Sequence, residues 1–278
     1  MKVSGIISSI LAASVLLCSC SVKEDRFQCP LYLFFPEGVN GVGAEGPDAT
    51  VQVYERGSGV PTKTVDTPLD TLCKAGYYIV IRKGETVADV LVGRNAASVS
   101  GSLVTYPDGK PVDALYALSE SFETTAQDET YRLKKRLGRQ VTPVDLTLKY
   151  SGNGDYPFVM VLRSGWNGFD GRTLEPVRGN YHCVLATDGA AGHYTFRAPR
   201  QGTDTDLRLE FWEGDPDGGA AAEMLYSYDL GGFMTRGGYD WTEAHLKEYR
   251  MSLDYAHGRF TIAVNDWRDQ FIIENYEI

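Results

Sequence analysis

The sequence predicts an all-β protein made of two β-sandwich domains, and three observations lead to this prediction. Apolar and polar residues alternate with the period of a strand, as in Val144–Tyr150, where Asp145, Thr147 and Lys149 separate the apolar positions. Such segments are short and divided by glycine-rich turns, which favours sandwiches over parallel βαβ units. The length of 278 residues corresponds to about two domains.

The alternation predicts a series of strands along the chain. They are Leu31–Phe35, Thr50–Tyr54, Tyr77–Arg82, Thr86–Val92, Val144–Tyr150, Tyr156–Arg163, Tyr181–Ala186, His193–Arg197, Leu207–Phe211, Tyr226–Leu230, Tyr249–Tyr255, Phe260–Val264 and Phe271–Ile278. Gly, Asn and Asp stand between several of them and supply the positive φ angles of tight turns. Two short helices are predicted over Val112–Leu118 and Trp241–Lys247, the second because Asp240 and Glu243 have the spacing of a capping box.

The charge balance restricts the classes of partner. There are 27 Lys and Arg against 37 Asp and Glu, which gives a net charge of −10. An acidic chain repels phosphate backbones, so the composition excludes a nucleic-acid-binding protein. Because 43% of the residues are hydrophobic and 23% are charged, the chain has the composition of a folded globular protein.

The N-terminus predicts export and lipidation. Lys2 precedes an apolar run, Ile6–Leu17, that is shorter than the ~20 residues of a membrane-spanning helix. Leu17 and Ser19 then stand three residues and one residue before Cys20, as in a lipobox. Cleavage between Ser19 and Cys20 removes residues 1–19 as a signal peptide, and acylation makes Cys20 the membrane anchor. Cleavage a few residues later, which leaves Cys20 unmodified, is the alternative.

The residues after Cys20 predict a tether and a sorting tag. Ser21, Lys23, Glu24 and Asp25 resemble the short acidic tags that send lipoproteins to the outer surface of some Gram-negative bacteria. We expect residues 20–29 to form a lipidated tether, residues 30–140 an N-terminal sandwich and residues 141–278 a C-terminal sandwich. The basic segment 131–139 precedes the boundary and is interpreted as a solvated linker.

Three cysteines remain for the exported body, namely Cys29, Cys73 and Cys183. In an oxidising compartment a bridge between Cys29 and Cys73 is one alternative, because both lie in the first half. The sequence alone does not establish that their Cα atoms are close enough.

Catalytic and metal-binding patterns are absent from the sequence. It contains no Walker loop, no paired histidines of a zinc protease and no Gly-x-Ser-x-Gly elbow. Gly41–Gly46 spells a dinucleotide fingerprint, but Pro47 and Asp48 lead into a strand where a helix is required. We therefore predict no enzyme, no catalytic residue, no metal and no cofactor. Trp166, in a glycine-rich stretch, is the residue predicted to be exposed for contact with a ligand such as a sugar.

Several segments together resemble a known family. Cys20–Arg26 followed by Cys29–Leu33, then Gly76–Val80 and Phe260–Trp267, are similar to the fimbrillin-associated anchor proteins. The likeness is sharp at the start of the chain and diffuse elsewhere. Many relatives have Cys-Pro-Cys where this chain has Cys-Pro-Leu at Cys29–Leu31.

The resemblance implies a fold and a function. The fold is two tandem transthyretin-like Greek-key β-sandwiches. The function is that of a lipoprotein at the outer membrane and cell surface, at the base of a fimbrium, which anchors the fimbria and helps set its length. Its partners would be fimbrial pilin subunits, bound by β-strand addition. A fimbrial tip or adhesin subunit, a surface glycan-binding lipoprotein and a hydrolase of unfamiliar design are the alternatives.

Overall fold

The structure is a computed structural model in which most of the described residues lie in strands. It describes residues 28–34, 48–68, 71, 77–82, 85–92, 98–121, 123, 131–134, 137–150, 158–188, 192–218, 221–256, 259–264 and 273–277. These residues form nineteen strands, arranged in four sheets, and one helix of seven residues. The all-β class and the sandwich architecture predicted from the sequence are confirmed.

The strands divide between the two halves of the chain. The first half contains β1 (Gln28–Phe34), β2 (Asp48–Glu55), β3 (Lys63–Pro68), β4 (Tyr77–Arg82), β5 (Glu85–Val92), β6 (Ser98–Ser100), β7 (Leu103–Thr105), β8 (Tyr116–Ser119), β9 (Tyr131–Lys134) and β10 (Gly138–Arg139). The second half contains β11 (Val141–Tyr150), β12 (Val159–Asp170), β13 (Pro176–Val184), β14 (His193–Pro199), β15 (Leu207–Glu213), β16 (Glu223–Asp229), β17 (Tyr249–Ala256), β18 (Arg259–Val264) and β19 (Ile273–Glu277). Every predicted strand overlaps one of these.

Two sheets in the first half differ in how they are covered. Strands β4, β1 and β9 form one sheet in that order, and β10, β8, β5, β2 and β3 form the other. Leu31 and Leu33 of β1 are fully buried and define the inner face of the first sheet, because alternate side chains of a strand point to one face. In β2 all four residues from Val51 to Tyr54 are buried, so this strand is covered on both faces.

Two larger sheets in the second half enclose a shared core. One has the order β14, β11, β17, β18, β19, and the other has the order β16, β15, β12, β7, β6, with β13 on the opposite edge of β12. Burial of apolar side chains is the main stabilising contribution in such a core. Its members include Leu146, Leu148, Leu162, Phe169, Leu209, Phe211, Phe233, Met251 and Leu253.

Strand β12 connects the two halves of the chain. Val159–Ser164 pairs with β15, whereas Gly168–Asp170 pairs with β7, a strand of the first half. A Cβ atom on Gly168 would lie 1.9 Å from the carbonyl oxygen of Val104, so glycine permits this close pairing. The β6–β7 hairpin thus crosses the boundary at residue 141, and that boundary stays a prediction.

The turn after β12 makes further contacts with the first half. Arg172 donates a hydrogen bond to the carbonyl oxygen of Ser58 at 2.6 Å, and its guanidinium lies 4.7 Å from the ring centre of Tyr54. Asp170 accepts a hydrogen bond from the hydroxyl of Ser102 at 3.0 Å. Polar and cation–π contacts therefore join segments that lie far apart in the sequence.

The helix predicted over Trp241–Lys247 is wrong. This segment consists of turns, because Arg200 donates to the carbonyl oxygen of Trp241 at 2.7 Å and to that of Glu243 at 2.9 Å. A helix would need these carbonyls as acceptors for its own N–H groups. The guanidinium of Arg200 therefore takes the place of helical N–H donors at these two carbonyl oxygens.

The helix predicted over Val112–Leu118 is also wrong. The segment is extended and leads into β8. The carbonyl oxygen of Leu115 accepts from the N–H of Gln140 at 2.9 Å, and that of Val112 accepts from Arg197 at 3.3 Å. Pairing with other segments outweighs the local preference for a helix.

Helix α1 (Leu230–Arg236) begins where the sequence predicts the end of a strand. Its Asp229 N-cap accepts from the N–H of Gly232 at 2.9 Å. Glycines are poor helix formers, but Leu230, Phe233 and Met234 are buried and stabilise the helix by packing. No described helix is long and apolar enough to span a membrane.

The buried guanidinium of Arg200 gives the first testable prediction. Arg200 is 3% exposed, and Arg200→Gln leaves the carbonyl oxygens of Trp241 and Glu243 without their donors. We expect the free energy of unfolding to fall by about 3 kcal/mol, because each charge-assisted hydrogen bond contributes about 1.5 kcal/mol or more. Thermal unfolding followed by circular dichroism measures this loss.

Arg208→Gln is the matched control for that variant. The side chain of Arg208 is 56% exposed and its Nε lies 3.4 Å from Asp206, so we expect a change below about 0.5 kcal/mol. Equal losses for both variants would show that the contacts of Arg200 do not hold the 241–243 turn.

Candidate functional site

The predicted lipidation site and sorting tag lie outside the described residues. Ser19, Cys20, Ser21, Lys23, Glu24 and Asp25 all precede residue 28, where the described chain starts. Their roles stay predictions. The structure shows which strand the segment leads into, namely β1.

The cysteines fall in three different situations. Cys29 lies in β1 with its Cα opposite that of Ile81, and Cys73 lies outside the described residues. The Cys29–Cys73 bridge therefore stays a prediction. Cys183 is a buried free thiol, and burial raises its pKa. A thiol that resists ionisation is a poor nucleophile, so Cys183 belongs to the core.

The exposure predicted for Trp166 is wrong. Trp166 is 9% exposed and lies in β12, which continues through the glycine-rich stretch. The guanidinium of Arg178 lies 4.0 Å from the centre of its ring, and its indole N–H donates to the carbonyl oxygen of Asp204 at 3.1 Å. Since Gly202 packs against the ring as well, Trp166 offers no open face for stacking on a sugar.

Two histidines make close contacts with carboxylates and thereby link separate segments. The Nδ1 and Nε2 atoms of His182 lie 2.6 Å from Asp108 and 3.3 Å from Asp217. His193 Nε2 lies 2.9 Å from Asp145. Among the described residues there is no group of three or more His, Cys, Asp or Glu arranged to hold a metal ion.

Several sheet edges are closed by hydrogen bonds from neighbouring segments. At β13, the N–H of Gly109 donates to the carbonyl oxygen of His182 at 2.9 Å, and Asp108 accepts from the N–H of His182 at 2.7 Å. At β10, the N–H of Leu246 donates to the carbonyl oxygen of Arg139 at 3.1 Å. These backbone groups already have hydrogen-bond partners, so an added strand could not form backbone hydrogen bonds with them.

The edge strands β14 and β3 are also protected from pairing with another chain, β14 by a hydrogen bond and β3 by its charged residues and proline. The N–H of Asp188 donates to the carbonyl oxygen of His193 in β14 at 2.8 Å. Strand β3 carries Lys63, Asp66 and Pro68, and charges and proline at an edge discourage pairing with another chain.

Strand β16 is an edge with an exposed apolar residue, Met224, at 47% exposure. Glu223 and Asp229 stand at its two ends, and its register with β15 shifts between Phe211 and Trp212. A charged edge with an irregular register is a weak template for an added strand.

Strand β4 presents an open edge within the described part of the chain. Pro30 of β1 stands opposite Val80, and proline has no N–H to donate. The carbonyl oxygen of Val80 accepts instead from the Nζ of Lys63 at 3.4 Å, so it points away from β1. In an antiparallel pair the N–H of the same residue points the same way, as do the backbone groups of Tyr78.

The side chains of β4 suit a site for an extended partner. Tyr78 is 63% exposed and Val80 is 49% exposed, whereas Ile79 between them is 1% exposed. The rings of Tyr32 and Tyr78 lie 4.6 Å apart between centroids. An added strand would gain main-chain hydrogen bonds from the edge and apolar contacts from these side chains.

Sequence reasoning predicts β4 as a strand but misses its exposed apolar face. The available signal is the run Tyr77–Ile81, in which every residue is apolar or aromatic. A strand that is apolar on both faces is typical of one covered on both sides. In this structure one of those faces is open, which indicates a surface for a partner.

Comparison with known proteins identifies the fold. No protein-family model and no curated protein matches the sequence, but solved structures do. The fimbrial anchor protein Mfa2 from Porphyromonas gingivalis is 10% identical, with a TM-score of 0.56 over 88% of this chain and 95% of that one.

Two Bacteroides structures are similar to the same degree. A candidate polysaccharide-binding protein from Bacteroides thetaiotaomicron is 11% identical, with a TM-score of 0.59 over 87% of this chain and 100% of that one. A candidate adhesin from Bacteroides ovatus is 12% identical, with a TM-score of 0.58 over 91% and 96% of the two chains. The resemblance to fimbrial anchor proteins is therefore confirmed at the level of the fold.

The packing of Trp166 on Gly202 gives the second prediction. A Cβ atom on Gly202 would lie 2.4 Å from Cζ2 of Trp166, so Gly202→Ala forces the ring or the loop to move. We expect a loss of about 1 to 3 kcal/mol in the free energy of unfolding, measured by urea denaturation. Gly59→Ala is the control, since a Cβ atom there meets nothing within 4 Å. Equal stability of the two variants would contradict the packing of this tryptophan.

Proposed function

We propose that this chain is a non-enzymatic lipoprotein of the outer membrane that anchors fimbriae to the cell surface and helps set their length. Processing between Ser19 and Cys20 and acylation of Cys20 would supply the membrane anchor. A pilin subunit would bind through an extended segment that adds to the edge of β4. No cofactor, metal or catalytic residue takes part.

The observation that carries this proposal is the open edge of β4. The outward carbonyl oxygen of Val80 is met by one long hydrogen bond from the exposed Lys63. A partner strand can displace a solvated amine at little cost, because the amine then returns to water. The exposed side chains of Tyr78 and Val80 would contact alternate side chains of that partner.

The similarity to Mfa2 supports an anchor, while the same fold also occurs in candidate adhesins. Fold alone does not assign function. A fimbrial tip subunit is the alternative that would use the same edge, and the location of the protein on the fimbria distinguishes the two. The buried state of Trp166 removes the residue that favoured glycan binding.

Loss of the lipid tether gives the third prediction. Cells that express Cys20→Ala in place of the native chain should release fimbriae into the medium, because no acyl chain holds the anchor. Electron microscopy of the cells and immunoblots of pilin in cells and medium measure the release. A strain that lacks the gene and one complemented with the native chain are the controls.

That experiment tests whether the protein lies at the base of the fimbria. Shed fimbriae in both the deletion strain and the Cys20→Ala strain indicate a base anchor. Fimbriae that stay attached with unchanged length and amount would overturn the anchor proposal.

The fourth prediction tests the edge of β4 through its backbone. Val80→Pro removes an outward N–H and breaks no bond to β1, since the residue opposite is Pro30. We expect pilin capture by the purified chain to weaken about tenfold or more, because a ladder hydrogen bond is lost and the ring obstructs close approach. Surface plasmon resonance with purified pilin measures the affinity.

Val80→Thr is the matched control for Val80→Pro. Threonine keeps the N–H, the β-branched shape and the preference for a strand, so capture should change little. If Val80→Pro folds normally and still captures pilin with unchanged affinity, the β4 edge is not the binding site.

A further inference from the structure

The predicted tether leads directly into the three-stranded sheet of β4, β1 and β9. Seven residues, 21–27, lie between Cys20 and Gln28, the first residue of β1. Fully extended, the eight Cα–Cα steps from Cys20 to Gln28 span at most about 29 Å. If Cys20 is acylated, as proposed above, the start of β1 is held within about that distance of the lipid surface.

The outer face of this sheet carries aromatic and basic side chains in register. Tyr32 of β1 stands opposite Tyr78 of β4 on one side and Arg132 of β9 on the other. Tyr78 and Val80 are largely exposed, Arg132 is exposed and Tyr32 is half-buried. Because residues in register share a face, one row across the sheet reads Tyr78, Tyr32, Arg132.

The charge near this sheet has the opposite sign to that of the whole protein. The chain carries a net charge of −10, yet the sequence from Arg132 to Arg136 contains four basic residues and no acidic one. Strand β9 ends within this run, at Lys134. Lys63, which reaches the edge of β4, is also exposed. Among the described side chains, Arg132 on the sheet that receives the tether and Lys63 at its edge are therefore exposed basic groups.

We propose that this outer face, defined by Tyr32, Tyr78, Val80 and Arg132, rests on the phosphate-bearing lipid headgroups of the membrane that holds the tether. Tyrosines favour the boundary between apolar and aqueous phases, because the ring is apolar and the hydroxyl is polar. Arginine pairs with phosphate oxygens in bidentate geometry. Basic residues near an anionic surface add attraction that salt screens.

This orientation is compatible with a strand added to β4. The edge of a sheet lies in its plane, so contact of the face with lipid leaves the edge open sideways along the membrane. The added strand would then lie parallel to the surface, at the base of the fimbria. An added strand would hydrogen-bond to the backbone of the edge and touch Tyr78 and Val80 from the side, whereas lipid would contact the face. Val80→Pro therefore tests the edge and Arg132→Glu tests the face.

The fifth prediction measures the distance of the face from lipid. The full acylated chain carrying Val80→Cys, labelled with a fluorophore, is reconstituted in vesicles of phosphatidylcholine and phosphatidylglycerol that contain a nitroxide on some headgroups. We expect several-fold stronger quenching than for the same label in Met224→Cys. The two positions have matched exposures of 49% and 47%, and Met224 lies on β16 of another sheet. The labelled native chain gives the background from its own cysteines.

A second variant tests the basic contribution. Arg132→Glu combined with Val80→Cys should lose most of the additional quenching, and higher salt should reduce it in the parent. Vesicles of phosphatidylcholine alone should show weaker quenching than the mixed vesicles. Equal quenching at positions 80 and 224 would overturn the proposal.

The outcomes separate this proposal from the anchor function. If position 80 is not quenched while the native chain stays on vesicles and captures pilin, the membrane-facing orientation is wrong and the anchor function stands. If mass spectrometry shows Cys20 without acyl chains, the tether is wrong, and the orientation that depends on it fails too. Loss of capture in Val80→Pro with quenching retained in Val80→Cys supports both proposals.

Discussion

The pairing of β12 on both of its edges is the interaction on which the rest of the structure depends. One edge holds β13, and the other holds β15 along its first half and β7 at its end. Because a backbone paired on both sides is satisfied without water, this strand can run through the buried centre of the sheet. The glycine-rich end of β12 admits the carbonyl group of Val104, and the first half of the chain is thereby joined to the second.

A second constraint acts at the edges of the open sheets. An edge strand has unpaired N–H and C=O groups that favour association with other chains. The segments around Asp108, Asp188 and Leu246 close three of these edges with hydrogen bonds. At β4, by contrast, the outward carbonyl group of Val80 meets only an exposed amine among the bonds described.

The three-stranded sheet of β4, β1 and β9 combines features that a surface anchor needs. Its central strand, β1, is the first described strand after the proposed lipid site. Its edge is open on the β4 side and its outer face carries Tyr32, Tyr78 and Arg132 in one row. Membrane, tether and partner would therefore act on one small structural unit, while the larger sheets provide the stable core. In this proposal, the exposed apolar side chains of β4 have a partner to contact.

The sequence by itself determined where thirteen of the strands lie, because the period of alternating side chains is a local property. It did not predict β3 or the short strands β6–β10, and it placed a helix where β8 begins. It also predicted the lipobox at Cys20 and the family resemblance from short motifs. Only the tertiary structure decided features that depend on distant residues. Arg200 prevents a helix at Trp241 from 41 positions away, and Gly202 with Arg178 buries Trp166. Which edge stays open is likewise a non-local property. The period of the side chains shows that a strand has an inner and an outer face. Which segments cover the edges of that strand depends on the tertiary structure, because those segments are distant in the sequence.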